Sequence, residues 1–385
     1  MQFFKILIAA IILTATNSVQ AEEQQNIPET VYSALEYILS CSLEDADVET
    51  DKLSDLIHFV GTFPADSDMK LKERKGASGA FHSFSINGNL SKVLDYVYNP
   101  DIPGYITAPS SLQNQELLTP ELVDALRNLP SAVESDNDIR VMHGREREII
   151  TPDTNTGGYY KYIQDRLVIL LPGPTGPVLI STAIQIDSSE VGKKGCVVGE
   201  DKDWNYLYSD ETGLNKTGLG WVDSYMYHSD SVIIYVADTA KELIHVGSFK
   251  WLNAGWAKMN MVKSSHILNG QKRFSSDFKA VLESPGLPDP QVLEGKYQEL
   301  LQTSEQELRQ RLSPHLQAMY ESGDLRECSS SVKNMVSSGE YLQQMSQEEM
   351  IRVILLEYVK AYIGKESVGN SVIQTGALQS IASRH

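Results

Sequence analysis

The sequence predicts an α+β protein in which a curved antiparallel sheet, built from the middle of the chain, is flanked by helices from both ends. Apolar residues recur at helical spacing before residue 61 and after residue 256. Residues 139–262 are instead rich in β-branched and aromatic residues at strand spacing. Short connections such as PGPTGP favour antiparallel hairpins over crossover helices.

The first 21 residues have the layout of a secretory signal peptide. Lys5 is followed by the apolar run Ile6–Ala15 and then by polar and small residues up to Ala21. The apolar run is too short to span a bilayer, although an uncleaved N-terminal anchor is the alternative. We expect cleavage near Ala21, export to the periplasm or exterior, and a soluble product that does not stay inserted in a membrane.

The chain is strongly acidic. Its formal net charge is -18, and loss of the predicted signal peptide would remove one lysine and leave -19. Such a charge repels phosphate backbones and anionic lipid surfaces, so nucleic acid is not expected as a partner.

Residues 22–65 are predicted to form a helical prefix. Apolar residues recur at helical spacing over 31–39 and over 53–60, and the second helix is expected to stop near Gly61. The polar, charged stretch Asp66–Gly79 is predicted to be a linker.

The next segment predicts a strand, a turn and a helix. Residues 80–86 alternate as a strand does, Asn87-Gly88-Asn89 turns the chain, and apolar residues over 90–97 follow at helical spacing before Pro100.

Residues 109–137 are expected to form a loop containing one short helix over Pro120–Leu129, which begins with proline at its first position. Seven strands of one curved sheet are then predicted: Ile139–Ile150, Tyr159–Leu171, Val178–Ile186, Val197–Tyr208, Trp221–Tyr227, Val232–Ala237 and Leu243–Trp251.

The C-terminal third is predicted to be helical. A long helix is expected over Met261–Leu282, and two further helices, over Val292–Leu312 and Leu316–Tyr320, are expected to be separated by a break at Pro314. Ser346 and Glu349 form a capping-box pattern that opens a helix ending at Gly364.

The sequence does not determine how the three cysteines pair. In an oxidising compartment a bond between Cys41 and Cys328 would tie the two helical regions together and leave Cys196 over. Three reduced or buried thiols are the alternative.

Patterns for metal and catalytic sites are incomplete. The string DKDWN at 201–205 matches the start of a calcium loop, but Tyr206 and Thr212 stand where glycine and a bidentate glutamate are required. The eight histidines are scattered, and no GxSxG serine elbow is present. Glu146 and Glu148 share one strand face, which favours a charged strand edge over an acid/base pair. We therefore predict no metal, no cofactor and no catalytic residue.

The glycine-rich string DETGLNKTGLGWVDSYMY at 210–227 is followed by a strand pattern. A phosphate loop needs its glycines at the start of a helix, so we predict a glycine bend that leads into aromatic strands. Trp221, Tyr225 and Tyr227 are expected on one strand face.

The order of these elements resembles the START-like, helix-grip superfamily. The resemblance rests on the opening string SINGNLSKVLDYVYNP at 85–100, the antiparallel strands, and WLNAGW at 251–256 before the long helix. It implies that a curved sheet packs on that helix and leaves an apolar tunnel between them.

By this resemblance the protein would bind a lipid or other hydrophobic small molecule. The implied lining residues are Tyr160, Tyr162, Trp221, Tyr225, Trp251, Trp256 and Met259. Arg145 or Arg147 would neutralise a head group.

The predicted organisation is a signal peptide at 1–21, a helical prefix at 22–65, a START-like domain at 80–283, a helical region at 289–364 and a flexible tail at 365–385. Two other functions stay open. An exported hydrolase requires a histidine within hydrogen-bond reach of a carboxylate in a cleft. A structural or interaction module would expose its aromatic face as a patch.

Overall fold

A long antiparallel sheet separates two helical layers. The computed structural model describes residues 26–44, 48–135, 138–153, 156–216 and 220–366. The predicted signal peptide and residues 367–385 of the predicted tail lie outside the described residues.

The described helices are α1 (Glu29–Glu44), α2 (Ser54–Thr62), α3 (Leu90–Val97), α4 (Pro120–Arg127), α5 (Leu129–Ser135), α6 (Ser264–Leu282), α7 (Pro290–Gln302), α8 (Glu305–Glu321), α9 (Ser330–Ser338), α10 (Glu340–Gln344) and α11 (Gln347–Tyr362). The strands are β1 (Asp68–Arg74), β2 (Ala77–Asn87), β3 (Leu112–Leu117), β4 (Arg140–Ile150), β5 (Gly158–Tyr159), β6 (Lys161–Pro172), β7 (Pro177–Gln185), β8 (Lys193–Val197), β9 (Tyr206–Thr212), β10 (Leu214–Lys216), β11 (Gly220–Val222), β12 (Tyr225–Asp238), β13 (Leu243–Trp256) and β14 (Met259–Asn260).

The main sheet has the order β1-β2-β13-β12-β7-β6-β4-β3, and β14 extends it beside β13. Each of its pairings is antiparallel. Hairpins join β1 to β2, β6 to β7 and β12 to β13, whereas β2 pairs with β13 and β7 with β12 across long stretches of sequence. The predicted α+β class and large antiparallel sheet are therefore confirmed.

Both faces of the central strands of the main sheet are buried, since successive side chains point to opposite sides and each side packs against helices there. In β13, Phe249 and Trp251 point to the side covered by α1 and α2, which we name the α1 face. Val246 points to the opposite side, which packs against α3 and α6 and which we name the α6 face.

The helix α3 follows β2 as predicted. Asn89 caps it by accepting a hydrogen bond from the Lys92 backbone N–H, and Leu90, Val93 and Leu94 are buried against the α6 face. The capping box that begins α11 is also confirmed, with Ser346 and Glu349 bonded reciprocally.

Several predicted elements and boundaries are wrong. The stretch predicted as a linker contains β1, a charged edge strand in which Leu71 is buried. Its polarity follows from its edge position, where exposed charges oppose aggregation. The segment 109–137 contains β3 as well as helices, and the segment predicted as one strand over 197–208 is divided between β8 and β9. The predicted strands Trp221–Tyr227 and Val232–Ala237 are instead β11 and one long strand, β12. The seven predicted strands do not form a single sheet, because β8, β9 and β11 belong to smaller sheets.

The predicted helix break at Pro314 is also wrong, because α8 continues through that residue. The break lies about three helical turns earlier in the sequence, at Thr303 and Ser304, where Ser304 caps α8 by accepting from the Glu307 N–H. A proline inside a helix costs about 3 kcal/mol. Burial of Leu312, Leu316 and Met319 on both sides of Pro314 offsets that cost.

A second, three-stranded sheet of β5, β8 and β9 connects the C-terminal helices to the rest. The indole N–H of Trp204 donates to Asp277 Oδ1 of α6 at 2.8 Å. The backbone N–H of Tyr208 donates to the hydroxyl of Tyr341 in α10 at 2.8 Å. In the described part of the chain, no helix is both long and apolar enough to cross a membrane.

The disulfide joins Cys196 of β8 to Cys328, so the alternative pairing of Cys41 with Cys328 does not form. Cys41 is a free, buried thiol. It lies in the core of the α1 face, whereas the two bonded cysteines lie in the core that includes the α6 face. The main sheet therefore separates Cys41 from both.

Alkylation of the denatured, unreduced protein is predicted to modify Cys41 alone. Mass spectrometry after iodoacetamide treatment in guanidinium chloride should show a single adduct, and reduction first should give three. A peptide linking Cys41 to either other cysteine would contradict the structure.

Candidate functional site

A cavity of about 350 Å³ lies between α6 and the α6 face of the sheet. Its apolar lining includes Val97, Ile150, Met226, Ile233, Leu252, Ile267 and Phe274. Its polar lining includes Tyr98, Glu148, Tyr162, Gln164, Arg166, Ser231, Ser248, Lys250, Gln271 and Arg273.

The strand sequences explain why the core opens into a cavity here. Along the α6 face of β13, Val246 is followed by Ser248 and then Lys250. On β12 the small Ser231 lies directly opposite Lys250, and on β7 Ala183 lies opposite Ser231. These small side chains leave space that larger residues would fill, because protein cores are otherwise close-packed.

The helix α6 is held over this space by Gln271. Its side-chain N–H donates to the backbone oxygen of Ser248 at 2.8 Å and to the Ser248 hydroxyl at 3.1 Å. Gln271 is buried, so these bonds are protected from water. They fix α6 against β13 at the rim of the cavity.

One wall of the cavity contains a buried ion pair. Glu146 is fully buried, and Arg166 donates to its Oε1 at 2.9 Å. Gln164 donates to the same oxygen at 2.6 Å, and Gln115 donates to Oε2 at 2.7 Å. Three donors therefore satisfy the carboxylate, as a buried charge requires.

A second carboxyl group, Glu148, faces the cavity beside Tyr162. The Tyr162 hydroxyl donates to Glu148 Oε2 at 2.6 Å. Burial raises the pKa of Glu148 above its ordinary value, and the nearby charge of Glu146 raises this pKa further. Glu148 thus holds a proton more readily than an exposed glutamate.

Lys250 presents a cation to the cavity. Its Nζ donates to the Ser229 hydroxyl at 2.7 Å. Among the described residues, no carboxylate forms an ion pair with it, whereas Arg166 is already paired. Burial lowers the pKa of Lys250 below its ordinary value. This lysine is therefore the cavity cation that a bound anion could neutralise.

The nine residues predicted from the resemblance are distributed over several places. Tyr162 lines the cavity. Tyr160 is buried beside Tyr162 and Met226, and its hydroxyl donates to Ser224 at 3.0 Å. Trp251 lies on the α1 face, where its indole N–H donates to the Lys72 backbone oxygen at 2.9 Å.

The other predicted aromatic residues lie near the β12 and β13 ends. Tyr225 stacks on Tyr227, with ring centroids 6.0 Å apart. Trp256 and Met259 pair across the β13–β14 hairpin, and Met259 is exposed. The backbone of Trp221 belongs to β11, while its side chain lies outside the described residues.

Arg145 and Arg147 point away from the cavity, since they alternate with Glu146 and Glu148 along β4. Arg145 pairs with Asp165 at 3.0 Å, and Arg147 pairs with Glu116. The expectation that Glu146 and Glu148 form a charged strand edge is wrong. Both faces of β4 carry charges, so periodicity alone does not show which face is buried.

Lys250 and Arg166 were not among the residues predicted from the sequence. Each occurs in a strand pattern that is otherwise apolar on the same face, at KWLNAG and DRLVIL. A charged residue in such a pattern was the available signal, because a buried charge is retained only with a partner or a function.

Among the described residues, no group of three or more His, Cys, Asp or Glu side chains is arranged to hold a metal ion. A scan against protein-family models finds no match, and a search of curated proteins finds none either. The site is therefore interpreted from its geometry alone.

Substituting Glu146→Gln is predicted to lower the free energy of unfolding by about 3 kcal/mol, because it leaves Arg166 without its buried partner. Glu116→Gln is the matched control, since Glu116 forms an exposed pair on the adjacent strand. It should cost at most about 1 kcal/mol. Urea denaturation measures both, and equal costs would contradict the importance of the buried pair.

Proposed function

We propose that the protein binds a lipid or other hydrophobic small molecule between α6 and the sheet, in a helix-grip arrangement like that of START-like proteins. The observation that carries the proposal is the cavity beneath α6. Its volume of about 350 Å³ lies within the usual range for small-molecule sites, at the lower end.

The sheet topology supports the same arrangement. A strand and helix, β2 and α3, precede the antiparallel strands, and β2 then pairs with β13, the last long strand before α6. The chain thus returns to its first strands before α6 begins. That helix packs on the same face as Phe84 of β2, with the Phe84 and Phe278 rings 6.2 Å apart.

The mixed lining favours an amphipathic ligand over a purely apolar one. Ile233, Leu252 and Phe274 provide apolar contact, whereas Lys250 provides a cation without a carboxylate partner in the described residues. Pairing a buried cation with an anion offsets part of its desolvation cost. The proposed ligand therefore has an apolar chain and one anionic group at Lys250.

We also infer that the protein is exported. The signal-peptide pattern motivates this inference, and the disulfide between Cys196 and Cys328 supports it because disulfides persist mainly in oxidising compartments.

The proposal predicts that decanoate binds at least about tenfold more tightly than 1-decanol, a difference of about 1.4 kcal/mol. Lys250→Met should remove this preference while leaving the affinity for decanol within about threefold. Titration calorimetry below the micellar concentration measures both. Lys241→Met is the matched control, because Lys241 is exposed at the β12–β13 turn.

The outcomes separate the two parts of the proposal. Binding of both ligands with equal affinity would contradict the role of Lys250 but not the cavity. Absence of binding by either would remove support from the cavity itself and favour an interaction module or the hydrolase.

The preference for decanoate is predicted to fall as pH rises. Anion binding requires protonated Lys250, whose pKa lies below its ordinary value, and ionisation of Glu148 on the same wall adds repulsion. Decanol affinity should stay constant. Glu148→Gln distinguishes the effect of Glu148 from that of Lys250. It should remove the part of the decline that comes from ionisation of Glu148 and leave the part that comes from deprotonation of Lys250. A flat decanoate profile would contradict the assignment.

Filling the cavity is predicted to abolish binding. Ile233→Trp places a larger side chain in the lining of the cavity. Ile163→Trp, on the opposite face of β6 where Ile163 is exposed, is the matched control and should bind normally. Thermal unfolding of both variants checks that each is folded, and unchanged decanol binding by folded Ile233→Trp would contradict the site.

A further inference from the structure

A hydrogen-bonded chain of three side chains lies outside the cavity, between α6 and β1. The Ser275 hydroxyl of α6 is 3.0 Å from Nε2 of His82 in β2. Nδ1 of His82 is 2.8 Å from Oδ1 of Asp68 in β1. None of the three lines the cavity beneath α6. A serine, a histidine and a carboxylate thus follow one another in the order used for nucleophilic catalysis.

The direction of these bonds is determined by Asp68. Although burial raises the pKa of Asp68, hydrogen bonds from Lys272 and His82 lower it below its ordinary value overall. An ionised carboxylate only accepts, so Nδ1 of His82 carries the proton. With the proton on Nδ1, Nε2 is free to accept from the Ser275 hydroxyl, which also lies 3.0 Å from the Lys272 backbone oxygen and donates to one of these two acceptors at a time. This is the tautomer in which a histidine can take the proton of a serine.

The chain opens into a surface groove of about 840 Å³. His82 and Ser275 line this groove together with Asp66, Lys272, Ser276, Lys279, Ala280, Glu283 and Ser284. His82 and Ser275 are themselves largely buried, so water reaches them only from the groove. A small polar molecule in the groove would lie against Ser275.

Lys279 supplies a positive charge to the groove, which a developing oxyanion would require. It lies one helical turn beyond Ser275, on the same side of α6, because residues four apart are neighbours on a helix surface. Among the described residues no carboxylate forms an ion pair with it, whereas Lys272 is bonded to Asp68. The backbone N–H groups inside α6 serve the helix itself, so Lys279 is the available donor for a developing oxyanion.

We propose that this groove is an acyl-transfer site that hydrolyses small polar carboxylic esters. Ser275 Oγ attacks the ester carbonyl carbon while His82 Nε2 takes the hydroxyl proton. The tetrahedral oxyanion faces Lys279. Its collapse breaks the bond to the alkoxy group, which leaves as an alcohol with the proton from His82. Water, deprotonated by His82, then attacks the acyl-serine, releases the carboxylic acid and restores Ser275.

The direct test is labelling of the full-length protein with a fluorophosphonate, followed by mass spectrometry of its peptides. The expected adduct is on Ser275. Turnover is measured in parallel with p-nitrophenyl acetate. Ser275→Ala should reduce both labelling and turnover to the background rate, and Ser276→Ala, the adjacent exposed serine of the same groove, should leave both unchanged.

Variants of the other two residues test their separate roles. His82→Gln should lower the acylation rate at least about 100-fold, the usual contribution of a general base. Asp68 is a positioning residue. Asp68→Asn should lower the rate and move the midpoint of the rate-against-pH curve to lower pH, because the carboxylate stabilises the protonated imidazole. A structural role alone would leave that midpoint in place.

Several results would overturn the proposal. These are wild-type protein that is not labelled and does not turn over the ester, labelling on a residue other than Ser275, or equal activity of Ser275→Ala. Should Ser275→Ala fail to fold, the position of the adduct on the wild-type protein decides. Decanoate binding beneath α6 is measured separately, so the cavity proposal stands or falls on its own.

Discussion

Burial of both faces of the central strands of the main sheet is the constraint on which the rest of the structure depends. A sheet covered on one side only would let each strand place its polar residues toward water. Here α1 and α2 cover one face and α3 and α6 cover the other, so polar residues within the strands must find partners or line a space. Glu146 is an example of a residue that finds partners, since three donors bond to its carboxylate. Lys250 is an example of a residue that lines a space, the cavity beneath α6.

This constraint also explains what the sequence could and could not predict. Helices with apolar residues at helical spacing and a clear N-cap, such as α3 and α11, follow from the local sequence. The charged edge strand β1 does not, because its single buried apolar residue, Leu71, gives no periodic signal. The continuous helix through Pro314 depends on tertiary burial, which outweighs a local preference.

The candidate site was predictable only in part, for a related reason. Tyr162, which the resemblance implies as a lining residue, lines the cavity beneath α6. Arg145 and Arg147 were chosen over Glu146 and Glu148, yet all four alternate along one strand and local sequence does not say which pair faces inward. The Ser275, His82 and Asp68 chain has no local motif at all, since Ser275 is 193 residues from His82. The packing of α6 against β2, together with the pairing of β1 with β2, brings the three residues together.

The two proposed sites are neighbours through β2 and β13. Ser248 of the cavity and His82 of the groove face each other across this strand pair, about 5 Å apart by the spacing of paired strands. The helix α6 binds Ser248 through Gln271 and His82 through Ser275, and these two α6 residues are one turn apart. A ligand beneath α6 that displaced the helix would therefore lengthen the bond between Ser275 and His82 as well. Ligand binding in the cavity and the reactivity of Ser275 in the groove therefore both depend on the position of one turn of α6, from Gln271 to Ser275.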